Sequence, residues 1–144
     1  AGTPTAAQVR AAVVETSAEC GIFQSEYVIS VHSGFVRHAA ALKNLFRVGF
    51  VDASSGTDRV LTWPKALVGA WSLAGWLKHR LAADEKNVGV WLPTGLGSAF
   101  ANFALAFLRR TSVNLNYTAG DASVLAAVRQ SGLKTVITAK RFTD

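Results

Sequence analysis

A run of 21 residues without a formal charge, from Val88 to Leu108 (VGVWLPTGLGSAFANFALAFL), most strongly limits what this chain can fold into. As one element, the run would have the length and apolar character of a transmembrane helix. Pro93 and Gly95 interrupt it, and proline disfavours helix in the preceding residue and lacks the N–H that a helix needs. The run therefore favours a buried strand over 88–92, a turn, and a helix with apolar residues at helical spacing.

Strands and helices alternate through the second half of the chain. The patterns predict strands over 87–92, 112–117 and 135–138, separated by helices over 96–110 and 122–130, the second of them capped by Asp121. Strands joined through helices form parallel sheets with right-handed crossovers. We therefore expect an α/β fold: a partial doubly wound, mainly parallel sheet with flanking helices.

A small β-hairpin is predicted ahead of this sheet. Strand-like segments at 47–52 and 59–62 are separated by ASSGTD, a cluster of turn residues. A helix follows, with Thr62 as its cap. The predicted apolar stripe of this helix consists of Leu67, Ala70, Trp71, Ala74, Leu77 and Leu81.

The N-terminal part of the chain is weakly patterned. An Ala-rich helix is expected over about 5–18, and a second helix is expected to begin after Ser33. No basic segment followed by an apolar stretch precedes them, so no signal peptide is expected. Residues 1–32 are interpreted as a linker or the tail of an upstream module.

The charge pattern argues against a nucleic-acid partner. Fifteen Lys and Arg against nine Asp and Glu give a net charge of +6, but the cations are spread along every predicted element. A nucleic-acid interface usually gathers them on one face with aromatic residues between them. Cys20 is the single cysteine, so no intrachain disulfide can form, and a reducing, cytoplasmic environment is expected.

Chemical motifs are sparse. The segment GLGSAF at 95–100 lies where a dinucleotide-binding loop would place a pyrophosphate, but Phe100 stands where that loop needs a small residue. The sequence has no GxxxxGK[ST] phosphate loop and no GxSxG nucleophile elbow. His32, His38 and His79 lack partners at ligand spacing. No catalytic, cofactor-binding or metal-binding residue is predicted, and a small nucleotide-binding domain stays open as an alternative.

Three stretches resemble the N-terminal part of the AMP-forming acyl ligase superfamily, which includes acyl-CoA synthetases and acyl carrier protein synthetases. They are FRVGFVDASSGTDRVLTWPKALVGAWSLAGWLK, NVGVWLPTGLGSAFANFALAFLRRTSVNLNYT and KTVITAKRF, and the resemblance covers about residues 35–144. The segment VNLNYT resembles the corresponding sequence in one branch of this superfamily, the acylglycerophosphoethanolamine acyltransferase and acyl carrier protein synthetase proteins. In that branch, a phospholipid acyltransferase module can precede the ligase.

The resemblance implies that residues 33–144 are the first part of the N-terminal subdomain of an adenylate-forming ligase. The full-length protein would use ATP and Mg to activate a fatty acid, and would pass the acyl group to CoA or to acyl carrier protein. The family's phosphate-binding loop, its acidic magnesium ligand and its catalytic lysine match no residue of this chain. The chain is therefore expected to act as scaffold, to bind no cofactor by itself and to be inactive alone.

Candidate contacts with the adenylation cleft follow from the sheet. In open α/β sheets, ligands gather at the carboxyl ends of strands. The residues predicted at these ends are Pro93, Thr94, Asn116, Tyr117 and Thr118. The expected partners are the remainder of the same polypeptide and a second copy bound through exposed apolar surface. A non-enzymatic interaction module is a further alternative for the function. As to location, a fused membrane module would place the protein at the inner membrane face.

Overall fold

The computed structural model describes residues 30–54 and 58–140. In chain order, its elements are helix α1 (Val31–Ala40), a 3₁₀ turn (Leu42–Asn44), strands β1 (Val48–Asp52) and β2 (Arg59–Thr62), helix α2 (Trp63–Lys78), strand β3 (Asn87–Trp91), helix α3 (Leu96–Phe107), strand β4 (Thr111–Asn114), helix α4 (Asp121–Gln130) and strand β5 (Val136–Thr138). The helix predicted over 5–18 and the single cysteine, Cys20, lie outside the described residues.

The uncharged run divides into a strand, a turn and a helix, as predicted. β3 ends at Trp91 and α3 begins at Leu96, after Gly95 with a φ of 153° that residues with side chains rarely adopt. α3 ends at Phe107 rather than at 110, because Arg109 takes a left-handed φ of 56°, which terminates a helix. Within the described ranges, no helix combines the length and the apolar character that a bilayer crossing requires.

β3 is the centre of a three-stranded parallel sheet with the order β4-β3-β5. Its Val88 lies opposite Ser112 of β4, and its Val90 lies opposite Ile137 of β5. The chain leaves β3 for β4 on one side and then crosses to β5 on the other, so right-handed crossovers put α3 and α4 on opposite faces. The doubly wound arrangement and the preceding antiparallel hairpin, β1-β2, are thereby confirmed.

The main apolar core lies between β3 and the two helices α2 and α3. Its buried members are Ala74, Leu77, Leu81, Val88, Val90, Ala101, Ala104 and Leu105. A second buried cluster, which joins α1 to α2, consists of Phe35, Ala39, Ala66 and Ala70. Phe35 also stacks on Phe103 of α3, with 4.1 Å between the ring centroids. By contrast, α4 contributes no buried residue.

Trp71 belongs to the predicted apolar stripe of α2, but 62% of it is exposed. The buried face of α2 runs instead through Ala66, Ala70, Ala74 and Leu77. These mostly small residues let α2 approach α3 closely. Trp71 stays at the rim of this contact, with its ring centroid 5.2 Å from that of Phe107. The prediction for Trp71 is wrong because periodicity does not reveal how closely the neighbouring helix approaches.

Several element ends also differ from the prediction. α1 includes Ser33 in its first turn, so Ser33 is not its cap. Asp121 is the first residue of α4, and Gly120 takes the cap position. Thr62 does lie at the start of α2, although its side chain makes no capping hydrogen bond. β4 ends at Asn114 rather than at 117. Capping signals locate a helix end only to within about two residues.

Candidate functional site

A small cavity lies at the carboxyl ends of β3 and β5. Its volume is about 180 Å³, and it is lined by Asp52, Ser54, Leu92, Pro93, Thr94, Gly95, Leu96, Gly97, Ser98 and Ala139. The order of the sheet reverses here, because β4 and β5 lie on the two sides of β3. At such a switch point, doubly wound sheets open a crevice in which ligands bind. Topology therefore makes this carboxyl-edge cavity the candidate site.

Asp52, the last residue of β1, ties the hairpin to the turn before α3. Its carboxylate accepts hydrogen bonds from the Leu96 N–H at 3.1 Å and from the Ser54 N–H at 3.0 Å. Hydrogen bonds from the side chain and backbone of Ser54, and then from Leu96, lower the pKa of Asp52 below its ordinary value. A β-carbon at Gly95 would lie 3.3 Å from this carboxylate, so the turn and the hairpin pack closely.

This arrangement disfavours a dinucleotide pyrophosphate at residues 95–100. The Asp52 carboxylate already accepts a hydrogen bond at the N-terminus of α3, which is where the pyrophosphate would bind, and two anionic groups there would repel each other. Phe100 turns toward α2, where a β-carbon at Gly69 would lie only 2.8 Å from its Cε2 atom. The glycine-containing turn thus serves the packing of the hairpin and helices.

The structure divides the five residues predicted for the cleft into two groups. Pro93 and Thr94 line the carboxyl-edge cavity. Asn116, Tyr117 and Thr118 follow β4, are exposed and lie outside the cavity lining. The side-chain oxygen of Asn116 accepts hydrogen bonds from the N–H and the hydroxyl of Thr118 at 3.0 and 2.7 Å, which forms a tight turn. Ligand contact by any of the five stays a prediction.

Three polar residues of the cavity were absent from the sequence prediction: Asp52, Ser54 and Ser98. The Asp-x-Ser spacing at the end of β1 is a usable local signal, because an Asp side chain often bonds the backbone two residues later. The contact between Asp52 and Leu96 has no such signal. It joins residues that are 44 positions apart, so only tertiary packing creates it.

Two of the histidines pack against aromatic rings. His38 lies 4.4 Å from the Trp63 ring, and His32 lies 6.3 Å from the Phe107 ring. His79 follows the last residue of α2. Throughout residues 30–54 and 58–140, no three His, Cys, Asp or Glu side chains come together in a way that could hold a metal ion.

A larger groove, of about 520 Å³, lies near the opposite edge of the sheet, between the C-terminal parts of α2 and α3. Its lining consists of Trp71, Ala74, Gly75, Lys78, Phe107, Leu108 and Arg109. Apart from two cations, these side chains are apolar, and the groove does not lie at a strand's carboxyl end. The smaller carboxyl-edge cavity is the better candidate, because polar side chains converge there at the switch point.

The lowered pKa of Asp52 predicts a pH-dependent contribution to stability. The ionised carboxylate stabilises the fold above its ordinary pKa of 3.8, and this contribution is lost as the pH falls through the lowered value. We expect Asp52→Asn to lower the melting temperature clearly at about pH 7 and much less at about pH 2. Thermal unfolding followed by circular dichroism measures both differences.

Ser54→Ala is the matched control for this prediction. It keeps the carboxylate but removes the hydrogen bond that lowers its pKa most, so the loss at neutral pH should have the same sign and a smaller size. If Asp52→Asn destabilises the protein equally at both pH values, the ionised carboxylate has no role in joining hairpin and helix.

No protein-family model matches the sequence, whereas solved structures match the fold. The N-terminal subdomain of NpsA from Klebsiella oxytoca, in complex with 3-hydroxybenzoyl-AMSN, aligns with a TM-score of 0.67 and 15% identity over 76% of this chain and 26% of that chain. NpsA has also been solved in an artificially fused adenylation-PCP di-domain.

Two further matches come from other bacteria. The O-succinylbenzoate coenzyme A synthetase MenE of Bacillus subtilis, in complex with AMP, aligns with a TM-score of 0.63 and 16% identity over 75% of this chain and 27% of that chain. The inhibitor-bound N-terminal domain of FACL13 from Mycobacterium tuberculosis aligns with a TM-score of 0.66 and 20% identity over 76% of this chain and 27% of that chain. The chain spans about a quarter of the length of these solved chains. It shares its fold with the N-terminal domains of AMP-forming adenylation enzymes.

Proposed function

We propose that this chain is the first part of the N-terminal subdomain of an ATP-dependent, AMP-forming acyl ligase. The shared fold carries this proposal, and the cavity at the switch point of the sheet agrees with it. The three stretches that resemble the acyl ligase superfamily add support from the sequence. In this proposal, residues 33–144 form the opening scaffold of the subdomain, and residues 1–32 are a linker or the tail of an upstream module.

The complete enzyme would work in two steps. A carboxylate oxygen of a fatty acid attacks the α-phosphorus of ATP, so that an acyl adenylate forms and pyrophosphate leaves. The thiol of CoA or of acyl carrier protein then attacks the acyl carbonyl carbon, and AMP leaves. The AMP bound to MenE and the adenylation-PCP fusion of NpsA support a nucleotide substrate and a carrier partner. The acyltransferase-like branch rests on the VNLNYT resemblance alone.

The carboxyl-edge cavity does not by itself fit a nucleoside triphosphate. Among the residues that the structure describes, no Lys or Arg lines it, whereas the Asp52 carboxylate does. Neutralising the phosphates requires cationic side chains and a bound Mg ion. Other parts of the polypeptide would supply these side chains and the ligands for Mg. The contribution of this chain is to position the site. Asp52 holds the turn that carries Thr94, and Asn116, Tyr117 and Thr118 stand at the next strand end along the same edge.

Exchange of labelled pyrophosphate into ATP tests this proposal. The assay compares the 144-residue chain with a longer polypeptide from the same gene, using fatty acids of different lengths. We expect acid-dependent exchange by the longer polypeptide and none by the 144-residue chain, because the phosphate-binding and catalytic groups lie elsewhere. A gene without a Ser/Thr/Gly-rich, lysine-containing loop shortly downstream would contradict the proposal, and so would exchange by the short chain.

The alternatives predict other results. Binding of NAD to the 144-residue chain in calorimetry would favour a small nucleotide-binding domain. The absence of a binding signal in calorimetry with NAD and with ATP, together with a gene that ends after this segment, would favour an interaction module. Exposed apolar side chains such as Val51 and Val68, at 61% and 64%, offer surface for the rest of the polypeptide or for self-association. We propose a cytoplasmic location, at the inner membrane face if a membrane module is fused.

A further inference from the structure

The turn that joins α1 to β1 presents two large apolar side chains almost fully to solvent. We call residues 41–47 the 41–47 turn. Its Phe46 is 92% exposed and its Leu42 is 83% exposed. Single exposed apolar residues are ordinary on a protein surface, but two such side chains on one short turn indicate an interaction site.

Buried Asn44 holds the 41–47 turn in shape. The residue is 1% exposed, and its Nδ2 donates a hydrogen bond to the carbonyl oxygen of His38 at 2.8 Å. The Asn44 N–H donates to the Ala41 carbonyl at 2.8 Å, and the Arg47 N–H donates to the Asn44 carbonyl at 3.1 Å. These hydrogen bonds fix the backbone conformation in which Leu42 and Phe46 are exposed.

The surroundings of the turn are cationic. Lys43 and Arg47 belong to it and are exposed, as is Arg37 in the last turn of α1. None of the three takes part in an ion pair within the described part of the chain. The sequence contains no Asp or Glu between residues 27 and 51. The turn therefore combines apolar side chains with cations that no neighbouring acidic residue in sequence offsets.

We propose that the 41–47 turn docks onto the surface of a bilayer rich in acidic phospholipids. Its cations match the negative potential of such a surface, and its two apolar side chains would enter the boundary between headgroups and acyl chains. Burial of apolar area and electrostatic attraction to anionic lipids both contribute to the strength of such binding. The docking is peripheral, and it stands independently of the proposed ligase activity.

Co-sedimentation of the 144-residue chain with lipid vesicles tests the proposal. One set of vesicles contains phosphatidylcholine alone, and the other also contains phosphatidylserine. We expect binding to the acidic vesicles only. The double variant L42S/F46S should weaken it at least about tenfold, because apolar insertion is lost. The double variant K43Q/R47Q should weaken it about fivefold for each cation removed.

Matched variants on other surfaces serve as controls. V68S/L125S removes side chains that are 64% and 52% exposed on α2 and α4, and K86Q/R129Q removes two exposed cations. Both should keep binding within about twofold of the original protein. Circular dichroism melts of all four variants check that each is folded, since every substituted side chain is exposed.

Three outcomes would overturn the proposal. The first is absence of binding to the acidic vesicles. The second is an equal loss of binding in K86Q/R129Q and K43Q/R47Q with no loss in L42S/F46S, because that would show a general charge effect. The third is a dimer in analytical ultracentrifugation that L42S/F46S dissociates while vesicle binding is unchanged, because the turn would then bind a second copy.

Discussion

Replacing Leu105 by alanine is expected to lower the free energy of unfolding by about 3–5 kcal/mol. Leu105 lies on α3 with no exposed surface, in the core cluster that also contains Leu77, Val88 and Val90. The interior is close-packed, so the neighbouring side chains close only part of the cavity that the lost methyl groups leave behind. Urea denaturation followed by circular dichroism measures the change in stability.

Leu125→Ala is the control for this substitution. It makes the same change on another helix, α4, at a position that is 52% exposed. Alanine has a slightly higher helix propensity than leucine, and this small gain is similar at both positions, so the difference between the two variants reports burial. We expect Leu125→Ala to change stability by no more than about 0.5 kcal/mol. Equally small effects for both variants would contradict the core between α3 and β3.

Arg110→Ala is expected to lower the free energy of unfolding by about 2–3 kcal/mol. The Arg110 guanidinium donates hydrogen bonds to three carbonyl oxygens of the loop before β3: Glu85 at 2.5 Å, Ala83 at 3.1 Å and Ala82 at 3.2 Å. This side chain ties that loop to the start of β4. Without it, the carbonyl of buried Glu85 loses a charged partner, while the carbonyls of the more exposed residues bind water instead. Denaturant titration measures the loss.

Two further variants separate geometry from charge at Arg110. Lysine keeps the positive charge but lacks the planar fork of donors that spans three carbonyls, so Arg110→Lys should recover less than half of the loss. Arg129→Ala removes an exposed arginine from α4 and should change stability by no more than about 0.5 kcal/mol. Full recovery by lysine would show that charge alone, without the hydrogen-bond geometry, explains the effect.

The elements around the central strand follow from local signals. Pro93 and Gly95 separate β3 from α3 because one cannot donate a backbone hydrogen bond and the other permits a φ of 153°. The same alternation predicts that Pro93 and Thr94 stand at a strand's carboxyl end, and the structure places both in the cavity lining. These features depend on residues close together in the chain.

Features that depend on distant residues could not be predicted in this way. The apolar stripe of α2 includes Trp71 by periodicity, but the approach of α3 leaves it 62% exposed. Asp52 enters the site through a hydrogen bond to Leu96, and Arg110 reaches the loop around Glu85. Each contact requires the hairpin, helices and sheet to be assembled first.

The sequence by itself determined the order of strands and helices, the turn inside the uncharged run and the α/β class, because each depends on backbone preferences and apolar spacing within one segment. Only the tertiary structure decided which face of α2 is buried, and that Leu42 and Phe46 remain exposed. It also decided that the Asp52 carboxylate accepts a hydrogen bond from Leu96 at the start of α3. The physical reason is that burial and long-range hydrogen bonds are properties of packed neighbours, which a local pattern does not specify.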